Sequence, residues 1–127
     1  MACSYEYKKF DENEIILPGD IVSLMPIENK VTKAICSTKC HDKDIVIGVC
    51  EKIANNMVLV KNKGIIDVNV SGVICIGDHV GASELPGTAK AIKYVYEDED
   101  IFNLRCIGKV IGLYKVYNKA KVLLDIE

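Results

Sequence analysis

Apolar positions along this chain fall in short runs rather than in helical stripes. Val58 and Val60, then Ile66, Val68 and Val70, keep a period of two on either side of Asn62-Lys63-Gly64, which predicts a hairpin. Residues 113–117 and 121–126 flank Asn118-Lys119 in the same manner and predict another. No stretch sustains apolar residues at i, i+3, i+4 and i+7 between caps, and the best helical window, 51–55, is one turn at most. Strands 44–50 and 65–70 are apolar on both faces for much of their length, so both faces are expected to be buried, either inside the barrel wall or under a neighbouring subunit.

Turn residues punctuate these runs at Pro18-Gly19, Glu28-Asn29-Lys30, Asn55-Asn56, Ser71-Gly72, Gly77-Asp78 and Pro86-Gly87. Gly supplies positive φ, Pro presets φ and Asn tolerates the left-handed region. Short strands between regular turns predict a sandwich or barrel. Composition agrees: half the residues are apolar, with no Trp and two Phe, and the rest are mainly β-branched Ile and Val, which suit a pleated surface. The fold class read from the chain is all-β, a small barrel or sandwich of short strands with an internal pseudo-twofold repeat and little or no helix.

The repeat rests on three landmarks in one order. Gly19-Asp20-Ile21-Val22 recurs as Gly77-Asp78-His79-Val80, Lys33-Ala34 as Lys90-Ala91, and Ile47-Gly48-Val49 as Ile107-Gly108-Lys109-Val110. Gly19, Asp20, Gly77 and Asp78 read as turn formers, while Gly48 and Gly108 read as strand glycines at a bulge or a close backbone approach. One domain spans 1–127, with repeat halves near 15–62 and 73–127.

Charge narrows the partners. With 16 basic and 18 acidic residues, a net charge of −2 and Arg105 as the single arginine, no basic face for nucleic acid is expected. The N-terminal segment carries no apolar run after its charges, and residues 45–50 are too few to cross a bilayer, so neither a secretion signal nor a membrane partner is expected. Synthesis and retention in the bacterial cytoplasm follow, unless the chain leaves as part of something larger. Of six cysteines, Cys50, Cys75 and Cys106 lie in apolar runs and read as free thiols.

Candidate chemistry is sparse. Cys36, Cys40 and His41 carry zinc-ligand side chains, with Cys50 ten residues on, but adjacent ligands at 40 and 41 rarely aim at one metal and no second knuckle follows. A loop over 37–43 joining two strands is the simpler reading, so neither metal nor cofactor is expected. Glu97-Asp98-Glu99-Asp100 lacks the ligand spacing of a calcium loop and reads as a solvated loop. None of the five serines sits in a Gly-x-Ser-x-Gly turn, and His79 occupies the position that Ile21 holds in the first copy. No catalytic residue is assigned.

At these landmarks the chain resembles the β domains near the ends of bacteriophage tail fibres and appendages. The residues concerned are Tyr5 to Phe10, Leu17 to Leu24, Lys30 to Ala34, Val46 to Cys50, Val68 to Gly72, Ile76 to Val80, Leu85 to Ala89 and Ile107 to Val110. Some of those domains belong to an autoproteolytic intramolecular-chaperone family, and small phage head-decoration and head-fibre proteins are similar in grammar. The resemblance implies a virion component that binds no cofactor, assembles as a homo-oligomer (a trimer first) and contacts capsid or tail proteins. Because the domain fills the chain without a fibre shaft before it, a decoration or accessory protein is favoured. A self-cleaving tip domain, with Ser37-Thr38, Asp42 and Asp44 in a suitable loop, a host-surface-binding tip, or a small zinc-binding β module are the alternatives.

Overall fold

A computed structural model describes residues 4–25, 28–35, 45–92, 106–114 and 118–126. Ten strands occur among them: β1 (Ser4–Lys9), β2 (Ile21–Met25), β3 (Lys30–Lys33), β4 (Ile45–Ala54), β5 (Met57–Lys61), β6 (Lys63–Asn69), β7 (His79–Ala82), β8 (Ala89–Ala91), β9 (Gly108–Leu113) and β10 (Lys119–Asp125). No helix occurs among the described residues, and the all-β class stands. The first five strands close a barrel in the order β1-β3-β2-β4-β5, and the second five form a sheet in the order β6-β10-β9-β7-β8.

These are two copies of one topology. The second sheet comes back on itself through a parallel bridge from Val70 to Ala89, where the first has the parallel pair β1–β3. The ladders match in detail. Val22 pairs with Gly48 and Val80 with Gly108, and β4 and β9 are each bulged one residue past Cys50 and Val110 respectively. Val22 also pairs with Lys33 and Val80 with Ala91, so Lys33 corresponds to Ala91 rather than to Lys90. The Lys-Ala landmark is therefore out of register by one residue, which on a strand means the opposite face. Each copy also begins earlier than its Gly-Asp landmark, because β1 and β6 open the two ladders.

Two local expectations are corrected. The Asn62-Lys63-Gly64 turn does not make a hairpin: both edges of β5 are taken by β1 and β4, so β6 passes on to pair with β10. Residues 51–54 continue β4 instead of forming a helical turn, and Asn55 and Asn56 (φ 53° and 62°) provide the tight turn into β5. Within the single chain Ile65 of β6 stays half exposed, so the barrel wall does not cover that face. The hairpin at Asn118-Lys119 does form, as β9 pairs antiparallel with β10.

The core has two parts. Ile16, Val22, Val31, Cys50, Val58 and Val60 fill the first barrel. The second core holds Val68, Val80, Val110, Ala120, Val122 and Leu124, and Ile21, Ala34 and Val49 of the first barrel pack into it. Strand β4 is thus covered on both faces, with Cys50 inside its own barrel and Val49 against the neighbouring one. The glycines opposite β5 and β10 let the walls close: a Cβ on Gly48 would overlap the Lys61 carbonyl, and one on Gly108 the Leu123 carbonyl.

Candidate functional site

The Gly-Asp corners are built alike. The Asp20 amide donates to the Leu17 carbonyl and the Asp78 amide to that of Cys75, each closing a turn whose third residue is glycine at φ 93° or 95°. Each carboxylate then accepts from the amide three residues earlier, Leu17 at 2.9 Å and Cys75 at 2.8 Å. Cys50 and Val110 hold the turns to the bulged strands by equivalent backbone bonds.

What the corners touch differs. Asp20 is buried, and its Oδ1 accepts from Asn69 Nδ2 at 2.8 Å while Lys33 Nζ lies 3.6 Å from Oδ2. The Asn69 amide donates to the Gly19 carbonyl, the Ile21 amide to that of Gly87, and the Gly87 amide to that of Ala34. Gly87, at φ 84°, leaves room for the Asp20 carboxylate, since a Cβ there would come within 3.0 Å of Asp20 Cγ. The first corner is therefore an internal joint that grips the second barrel. The second corner has no such occupant among the described residues, and a Cβ on Gly77 would meet nothing.

The residue choices follow this asymmetry. Ile21, Ala34 and Val49 form the docking face of the first barrel, and their structural equivalents are His79, Ile92 and Lys109, with His79 and Lys109 exposed. His79 thus stands where Ile21 stands in the first copy. Its Nδ1 lies 3.7 Å from Cys106 Sγ, but burial holds that thiol above its ordinary pKa, which keeps it protonated and a poor nucleophile.

Of the sequence candidates, Cys36, Cys40 and His41 lie outside the described residues, as does 97–100. Cys50, Cys75 and Cys106 are free. Among the described residues no three His, Cys, Asp or Glu side chains converge as metal ligands.

Two surface features stand out instead. Ile15 (70% exposed) and Val73 (87%) occupy the same place in the two copies, each just before an isoleucine, Ile16 or Ile74, that packs into its own core. On the outer face of the second sheet, Ile65 and Leu123 are direct cross-strand neighbours. The sequence held no signal for Asn69 or for this pair beyond their strand positions, although the matched spacing to Ile16 and Ile74 would have found Ile15 and Val73. No family model, curated protein or solved structure matches the chain.

Proposed function

We propose that the chain is a non-enzymatic structural protein of a phage or phage-like particle, a capsid decoration or tail-fibre accessory, acting through protein–protein contacts. The observation that carries this reading is the duplicated display of an aliphatic side chain. Ile15 and Val73 project from equivalent loops, each anchored one residue later in a core and two to five residues later by a Gly-Asp turn. An isolated exposed aliphatic residue carries no message, but the same knob repeated on two rigid mounts is suited to a partner surface. The buried polar groups of the corners serve turns and the barrel joint, which leaves them no part in acid–base chemistry. Resemblance to phage β domains supplies the particle, and the knobs supply the means of attachment.

Particles purified on a density gradient from cells that encode the chain should contain it at a fixed ratio to their main shell protein by quantitative peptide mass spectrometry. The Ile15→Asp, Val73→Asp double variant should stay in the particle-free fraction while folding normally. Wild-type chain found wholly in the particle-free fraction would overturn the reading.

A further inference from the structure

On the outer face of the second sheet, the exposed residues of β6 are Lys63, Ile65 and Asp67, and those of β10 are Lys121, Leu123 and Asp125. The register sets Lys63 opposite Asp125, Ile65 opposite Leu123 and Asp67 opposite Lys121. Ile65 is 53% exposed and Leu123 47%, and Lys109 and the bulged, exposed Ile111 of β9 extend the face on the far side of β10. The face is thus an apolar bar with a Lys–Asp pair above it and another below, the signs arranged on opposite diagonals.

We infer that this β6–β10 face binds the same face of a second copy of the chain, making a twofold dimer centred on Ile65 and Leu123. The argument is self-complementarity. An isologous contact brings each residue of a patch against another residue of the same patch. Turning the face over about an axis parallel to the strands, between β6 and β10, lays Lys63 on Asp125 of the second copy, Ile65 on Leu123 and Asp67 on Lys121. Turning it about the perpendicular in-plane axis lays Lys63 on Asp67 and Asp125 on Lys121. Either way no like charges meet, and the apolar bar lies on itself, in keeping with the aligned packing of two sheets.

The charges are also available. Neither Lys63 and Asp125 nor Lys121 and Asp67 close an ion pair within the chain, although Tyr114 donates to Asp67 Oδ1 at 2.7 Å and fixes that carboxylate. An apolar centre with a charged rim is the usual anatomy of a specific interface. The pairing is independent of the particle reading, since it can be measured on the purified chain alone. A twofold face also favours an even-numbered assembly over the trimer implied by resemblance.

Sedimentation velocity of the full chain over a range of concentrations tests this. Wild type should sediment at twice the chain mass, and Leu123→Asp should raise the dissociation constant by about tenfold or more, as expected for a charge placed at an interface centre. Lys121→Glu, which sets like charges together about either axis, should weaken the dimer without touching the apolar bar. Ile53→Asp, at an exposed site on β4, should leave it unchanged, and circular dichroism confirms that each variant is folded. A wild-type chain that remains monomeric at the highest concentration, or an oligomer of any order that survives both Leu123→Asp and Lys121→Glu, overturns the proposal.

Discussion

The side-chain amide of Asn69, at the end of β6, donates to the buried carboxylate of Asp20 at 2.8 Å, and this bond crosses from one barrel to the other. It completes the coordination of a carboxylate whose other oxygen already accepts the Leu17 amide and faces Lys33. The same Asn69 amide group reaches the Pro18 carbonyl at 3.2 Å. One side chain therefore satisfies two acceptors of the turn.

Asn69→Ala should destabilise the chain by about 1–3 kcal/mol, because it leaves a buried acceptor unpaired rather than merely removing a bond. A double-mutant cycle with Asp20→Ala in urea denaturation isolates the pair. Full additivity of the two losses would show that the bond contributes nothing across the joint.

The docking face supplies a sharper contrast. Transplanting the residues of the second copy into the first, as Ile21→His with Val49→Lys, should separate the barrels, because Val49 is fully buried against the second core and a lysine there must be desolvated without a partner. A loss of more than about 3 kcal/mol is expected, together with tryptic cleavage at Lys61 or Lys63, which lie on either side of the connection between β5 and β6. Unchanged melting and unchanged protease resistance would show that this face does not join the barrels.

How far the sequence reached depends on what sets each feature. The turns at Gly19-Asp20 and Gly77-Asp78, the Asn55-Asn56 turn and the strand glycines are local, since each follows from the φ or the missing Cβ of a residue in place. The doubled pattern was legible for the same reason. Pairing was less so, because alternation along 58–70 fits a hairpin equally well, and only the closure of the first barrel shows that β5 has no free edge. The Lys-Ala match misled by one position, since two common residues can align by chance where register is fixed by Val22 and Val80. Asn69 was invisible because its partner, Asp20, lies 49 residues away in the chain.

The two strand glycines should be far less replaceable than those of the open turns. Gly48→Ala and Gly108→Ala drive a methyl into the backbone of β5 or β10, which cannot yield without breaking the ladder, so losses of about 2 kcal/mol or more are expected in each. Gly72→Ala meets no atom and suffers only its φ of 77°, a cost of about 1 kcal/mol. Chemical denaturation of the three variants gives the order directly, and a Gly72 variant as unstable as the other two would refute the steric account.

Cys50 gives the pH dependence. Burial in the first barrel, reinforced by the Asp20 and Glu51 carboxylates, pushes its thiol up to about 11. The raised value means that the folded chain holds the proton more tightly than the unfolded one. The contribution is therefore complete below the ordinary thiol pKa of 9.0 and is lost as pH rises to about 11, because the unfolded thiol ionises first. A fall in stability of the order of 2 kcal/mol across that window is expected from this group. Cys50→Ala should flatten that part of the profile, at the cost of a smaller core side chain. Urea midpoints measured at intervals from pH 8 to beyond pH 11, for wild type and variant side by side, test it, and two parallel profiles would show that Cys50 does not carry the alkaline loss.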